Sequence, residues 1–443
     1  MELAVLIGTR HMGTLHLPSG ADPSFEYHPQ YISRPGPPLS AQFPLSAGGA
    51  EGEKLRWWLE GLLPDDTQTI RSLLREHGLR SRDYAQMLGT PMGADCAGAV
   101  QFCLPDAVSA LISRQGEQTP ITEAEIADWL RQVQADPARR AYRGKGADSG
   151  FSLAGMQPKV AVRRAEDGGW TVPQGPTPTT HIIKAARHRT FPHEAVTEHL
   201  IMEAAARCGL ASALTSIADY DDDLEVIVVE RFDRTPGGTA RIHQEDLCQA
   251  LGYRPDQKYQ REGGPGPEEV TALLRRADPA NAETNISRFR DSLLYIWVAA
   301  SIDAHAKNYS LMHPAAGTAV LSPVYDANSW LPYRKDQPIG IFRLAMRMGD
   351  HYTIADADQP ASLVRTAEQL RLEAGTTARR AADLASRLPA ALDAAIENLP
   401  PDKANLPIVE TLHREITSRA HHCEKSAAQA AHIIESPDAN DGP

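Results

Sequence analysis

Three polar residues stand in a pattern that could do chemistry. Asp303 opens the run Asp303-Ala304-His305-Ala306-Lys307-Asn308, and Asp326 closes Val324-Tyr325-Asp326 eighteen residues after Asn308. An apolar stretch, Leu293 to Ile302, leads straight into the first of them. An Asp, an Asn five residues on and a later Asp after an apolar strand make a minimal set for phosphoryl transfer. One carboxylate orients the attacking hydroxyl, while the amide and the second carboxylate hold Mg²⁺ against the phosphates of ATP. Asp and Asn are also ordinary turn and cap residues, so the pattern takes its weight from what surrounds it.

Upstream elements supply that weight. Ser152-Leu153-Ala154-Gly155-Met156-Gln157-Pro158-Lys159 lies between strand-like stretches, and a glycine turn there lets backbone amides approach a phosphate while Lys159 adds a point charge. It is not a Walker A loop, because Pro158 and Val160 stand where that motif needs Gly and Ser/Thr. Lys184 ends the strand Thr180–Lys184, with Ile182 on its face. It fits the strand lysine that clamps α- and β-phosphates, held by a glutamate of the next helix. Glu198 is the candidate glutamate, with Glu194 and Glu203 as rivals. Glu230-Arg231-Phe232-Asp233-Arg234 follows an apolar strand and reads as a hinge whose backbone meets adenine. His193-Glu194…His199 is not a zinc motif, since six residues set the rings about 120° apart around a helix. His305 is expected to brace the catalytic loop by hydrogen bonds.

The rest of the chain bounds these readings. Its 443 residues suffice for a two-lobed enzyme with an extra module. A net charge of -12 argues against a protein that coats nucleic acid by itself. No apolar run reaches the roughly 18–20 residues of a membrane span, and the N-terminus reads as a strand, not a signal peptide. Five scattered cysteines with no C-x-x-C pair suggest the reduced thiols of a cytoplasmic protein. Composition and punctuation divide the chain into a β-rich module (1–105), a helical connector ending in a basic linker (106–148), a small β lobe (149–235), a helical lobe carrying the catalytic loop (236–410) and a polar, frayed tail (411–443). Within the connector, Thr122-Glu123-Ala124-Glu125 looks like a capped helix start.

Together these pieces resemble the HipA family of bacterial toxin–antitoxin serine/threonine kinases over nearly the whole length. The family's S-x-A-G-x-Q-x-K loop appears as Ser152–Lys159, its T-H-I-I-K strand as Thr180–Lys184 and its V-E-R-F-D-R hinge as Val229–Arg234. Its Q-E-D-x-C-Q helix start appears as Gln244–Gln249, its K-Y…G-G-P-G as Lys258-Tyr259…Gly263–Gly266, its D-G-H-A-K-N as Asp303–Asn308 and its Y-D as Tyr325-Asp326. Ala304 replaces the usual Gly, Pro158 stiffens the glycine loop, and the tail is longer than expected.

The resemblance implies an α+β, two-lobed protein-kinase-like fold behind an N-terminal β-rich module. It implies Asp303 as the catalytic carboxylate, supported by Lys184, Glu198 and His305, with Asn308 and Asp326 as Mg²⁺ ligands. Nucleotide contacts would come from Ser152, Ala154, Gly155, Gln157, Lys159, Lys184, Glu230, Phe232, Lys307 and Asn308. Ser152 would be the serine that such kinases autophosphorylate, ejecting the loop and silencing themselves. The implied partners are a small helix-turn-helix antitoxin, with the complex seated on operator DNA, and a protein substrate such as an aminoacyl-tRNA synthetase. Two rivals use the same residues differently: an aminoglycoside-type small-molecule phosphotransferase, and a non-catalytic co-repressor.

Overall fold

The computed structural model describes residues 1–435 apart from 77, 114–115, 137–138, 140–149, 154, 156, 187–190 and 222–223. The chain divides into two compact units, the first formed by Met1–Ala186, Ser216–Asp256 and Ser310–Val320, the second by Arg187–Thr215, Gln257–Tyr309 and the chain from Leu321 onward.

The first unit begins with the expected hairpin, Glu2–Ile7 against Arg10–His16, turning at Gly8 with φ +59°. Glu2–Ile7 is also flanked on its other side by Val100–Cys103, within a sheet completed by Ser24–Tyr27 and Gly49–Glu51. A strand paired on both edges explains why Leu3 to Leu6 are all buried. Leu3 and Val5 face one core with Trp58 and Phe102, while Ala4 and Leu6 face a smaller cluster with Cys103.

A second sheet runs Thr215–Asp219, Glu225–Glu230, His181–Ala185, Lys159–Arg164, Trp170–Pro173 and Gln118–Ile121 in that order. The last strand comes from the segment read as a connector, so that segment is built into this sheet. Its helix Glu123–Ala135 starts on the anticipated capping box, Thr122 with Glu125. Ile126, Trp129, Leu130 and Val133 of that helix share a core with Phe151, Val160, Ile183 and Val226. The basic run at its end lies mostly outside the described residues.

Two buried polar clusters tie the N-terminal segment to later parts of the first unit. Asp95 and Asp233 meet Arg231, Arg234 and Arg241, with all five side chains between 2% and 7% exposed. Asp233 also accepts the backbone N–H of Gly98 at 2.7 Å, and Arg231 donates to the Cys96 carbonyl at 2.9 Å. Burial opposes the charge on Asp95, yet Arg231, Arg241 and Arg234 outweigh it and hold the carboxyl below its ordinary range. In the second cluster the buried Glu245 accepts from Ala41 N–H (2.7 Å) and Trp58 Nε1 (3.1 Å), and pairs with His313 Nε2 (2.9 Å). His243 stacks on His313 at 5.6 Å.

The second unit is mainly helical. The helix Glu194–Arg207, read from sequence as part of the small lobe, groups here, and the Tyr295 hydroxyl donates to its Ile201 carbonyl at 2.6 Å. The expected polar tail needs correction, because Pro407–Glu435 is one long helix. Val409, Leu412, Ile416, Ala420, Cys423, Ala427 and Ala430 form its buried stripe. Small residues at three- and four-residue spacing carry little hydropathy, so the stripe reads as polar from composition. No described helix is long and apolar enough to cross a membrane.

The buried His243 yields a pH test. Burial first, and His313 second, push its imidazole down to about 4. The unfolded chain takes up a proton near the ordinary value of about 6.5, so between these values the unfolded state binds more protons. Stability contributed by neutral His243 is full above that range and is lost as pH falls towards 4. Urea unfolding at pH 5 should show a loss on the order of 2 kcal/mol from this group relative to pH 7.5. His243→Asn should flatten the step, and an unchanged pH dependence in that variant would refute the assignment.

Candidate active site

The catalytic-loop residues are placed by the end of one helix. Ala282–Ala299 buries Phe289, Leu293, Leu294, Trp297 and Val298, then stops at Ala300 in a left-handed conformation (φ +50°). Ser301 N–H returns to the Ile296 carbonyl at 3.0 Å, a Schellman-type ending without glycine. That turn delivers Asp303 to the surface with an exposed side chain. Its backbone is pinned, since Asp303 O accepts from His305 N–H (2.8 Å) and from Asn308 Nδ2 (3.1 Å). Ala304 is absent from the residues with positive φ, so replacing the family's Gly brings no backbone strain here.

Asp326 is brought to the same loop by its neighbours. The Tyr325 hydroxyl donates to the Lys307 carbonyl at 2.8 Å, and Asn328 N–H reaches Ser301 Oγ at 3.2 Å. Trp330 N–H bonds to the Ala300 carbonyl at 3.2 Å. Asp326 itself is exposed and left-handed (φ +57°), a conformation that a non-glycine residue adopts at some cost and that recurs at functional turns. With Asn308 Nδ2 turned to Asp303, the amide oxygen remains to coordinate, and an amide plus a carboxylate suit a hard cation such as Mg²⁺.

His305 braces the loop by hydrogen bonds through its backbone, while its ring acts by packing. Its N–H donates to the Asp303 carbonyl and its carbonyl accepts Asn308 N–H, both at 2.8 Å. It is buried, and its Nδ1 has no hydrogen-bond partner. Its ring instead packs edge-on against Tyr259, with centroids 5.2 Å apart. Burial first and Lys258 second hold the imidazole down to about 4, although Asp303 and Asp326 pull the other way. The ring is therefore neutral at physiological pH and braces the loop by packing.

In the first unit, Lys159 and Lys184 are directly opposite one another on adjacent antiparallel strands, and both are buried. Side chains so placed share one face of the sheet, which concentrates two ammonium groups there. Gly155 has φ +99°, and an added Cβ would lie 2.6 Å from Lys159 Nζ. The glycine turn thus sits directly over this lysine. Gln157 Nε2 donates to the Ala185 carbonyl at 3.0 Å, anchoring the turn beside Lys184. Ala154 lies outside the described residues. Ser152 is fully buried, with Oγ donating to the Leu62 carbonyl at 2.7 Å and N–H to the Asp95 carbonyl at 2.9 Å.

Of the glutamates, Glu203 is engaged by Arg207 at 2.8 Å, whereas Glu198 and Glu194 are buried on Glu194–Arg207. Glu230 is exposed at the end of its strand and Phe232 half-buried, while the intervening Arg231 and the following Asp233 and Arg234 turn into the buried cluster. Sequence reasoning treated those charged side chains as incidental to a hinge. Asp95, their partner, carried no local signal at all.

This α+β architecture is a HipA-like kinase fold. Residues 3–103 match the HipA N-terminal domain and residues 151–396 the HipA-like C-terminal domain, and the chain belongs to the HipA family. A putative kinase of Sinorhizobium fredii, Y4mE, is 34% identical over 326 residues, covering 72% of this chain and 74% of that protein. The serine/threonine-protein kinase toxin HipA of Shewanella oneidensis is 26% identical over 90% of each chain. The solved structure of a Shewanella oneidensis HipA, in complex with HipB and operator DNA, matches with a TM-score of 0.78 and 23% identity over 97% of this chain and 99% of that one.

Gly155→Ala should weaken Mg-ATP binding roughly tenfold in titration calorimetry, because a Cβ at this φ costs about 1–2 kcal/mol and meets Lys159. Unchanged affinity would remove this turn from the nucleotide site.

Proposed function

We propose that this protein is an ATP- and Mg²⁺-dependent serine/threonine protein kinase that acts as the toxin of a toxin–antitoxin pair. The observation that carries the reading is the catalytic loop, where Asp303 presents an exposed carboxylate from a backbone fixed by His305 and Asn308. In this mechanism Asp303 accepts the proton of a substrate seryl or threonyl hydroxyl as its oxygen attacks the γ-phosphorus. Lys184 and Lys159 would offset the negative charge of the phosphates, and Glu198 is the helix glutamate that the family resemblance assigns to Lys184. Asn308 and Asp326 would hold the metal, which neutralises phosphate charge when bound. Backbone at Glu230 and Phe232, and the Lys307 segment, would complete the nucleotide contacts.

Ser152 is the proposed site of self-inactivation. A phosphoryl group has no room on a side chain that is 0% exposed and 2.7 Å from the Leu62 carbonyl. Modification therefore requires the segment to leave this seat, and the added charge keeps it from returning. The further proposals rest on family resemblance: neutralisation by a helix-turn-helix antitoxin, a complex on operator DNA like that of the Shewanella oneidensis relative, and a translation-related target such as an aminoacyl-tRNA synthetase. Five buried thiols suit a reducing, cytoplasmic setting.

Incubated with Mg-ATP, the chain should gain one phosphate, mapped to Ser152 by intact mass and peptide analysis. Asp303→Asn should abolish the gain, and Asp326→Ala should do so without lowering the unfolding temperature. An active enzyme with unmodified Ser152 would refute self-silencing, and activity in Asp326→Ala would refute the metal role.

A further inference from the structure

The geometry points to Tyr259 as the positioning residue that holds the catalytic carboxylate of Asp303 in one orientation and leaves its second oxygen for the substrate hydroxyl. This rests on the reading of Asp303 as the carboxylate that takes the hydroxyl proton. Asp303 is exposed on a turn, where a carboxylate would otherwise rotate freely. The Tyr259 hydroxyl donates to Asp303 Oδ1 at 2.6 Å, a short bond to a charged acceptor.

The phenol is itself aimed from several sides. Tyr259 O accepts N–H groups from Glu262 (3.0 Å) and Gly264 (3.1 Å), closing a tight turn, and a Cβ at Gly264 would collide with the Gln257 carbonyl. Lys258 O accepts Ala306 N–H at 3.1 Å, which fastens that turn to the catalytic loop. His305 stands edge-on to the ring, with the two planes at 89°. Lys258 and Arg261 flank it at 5.6 and 5.7 Å from the centroid. His305 thus packs against the tyrosine that holds the aspartate.

Burial first, and then the bond to Asp303, raise the phenol well above its ordinary range. It stays a donor at every working pH and takes no part in moving the proton. That proton passes from the substrate hydroxyl to Asp303 as the new P–O bond forms and the bond to the leaving ADP oxygen breaks.

Single-turnover phosphate incorporation from Mg-ATP, tracked in the 443-residue chain and in added casein over a range of ATP concentrations, tests this with Tyr259→Phe. The variant keeps the ring and loses only the hydroxyl. The maximal rate should fall by roughly tenfold or more, with half-saturating ATP and unfolding temperature unchanged. A rate within about twofold of the unsubstituted chain overturns the inference, and so does a faster one, which would make the phenol a block. A rise in half-saturating ATP together with a lower unfolding temperature also overturns it, by showing a structural role alone. No transfer by the unsubstituted chain would instead overturn the kinase reading, and this inference with it.

Discussion

Five buried charges hold the first unit together, and the seat of Ser152 depends on them. Asp95 and Asp233 lie among Arg231, Arg234 and Arg241, and backbone groups of Cys96 and Gly98 take up further bonds. Removing one partner from such a cluster costs about 3–5 kcal/mol, because it strands a charge in low dielectric. The same Asp95 whose carboxylate anchors three guanidiniums gives its backbone carbonyl to Ser152 N–H, and Cys96 pairs with Ser152 as a parallel bridge. The cluster therefore fixes at once the segment 231–234, the loop 94–98 and the serine proposed as the regulatory site.

The second unit solves a different problem, that of presenting exposed carboxylates without letting them wander. Asp303 and Asp326 are in water, yet each is framed by backbone bonds a residue or two away. Behind them the helix Pro407–Glu435 supports the helix Ala282–Ala299. Arg419 donates to the Trp297 carbonyl at 3.2 Å and to Asp358 at 2.7 Å, and Trp297 Nε1 reaches the same carboxylate at 2.8 Å. A helix that looked like a tail is part of the frame.

Much of this was legible from residues alone. Alternation and glycine turns marked the hairpin Glu2–His16, and the strand carrying Lys184 and the capped helix at Thr122 were equally plain. The candidate site's polar residues stand out in the sequence because their types and spacing are chemical constraints. What escaped were pairings between distant segments. Asp95 lies 136 positions before Arg231, and no local pattern announces such a partner. Tyr259 lies 44 positions before Asp303, in a Gly-rich stretch whose motif was visible while its hydrogen bond was not. The long helix Pro407–Glu435 escaped because the later part of its buried stripe, from Ala420 to Ala430, is alanine, cysteine and serine among charged neighbours.

The proposed release of Ser152 from its seat in the first unit on self-phosphorylation is open to direct measurement. Hydrogen–deuterium exchange of the amide of Ser152, before and after incubation with Mg-ATP, tests it most directly. The bond from Ser152 N–H to the Asp95 carbonyl predicts slow exchange in the unmodified chain and fast exchange once Ser152 carries phosphate. A phosphorylated Ser152 whose amide stays as protected as before would contradict the account.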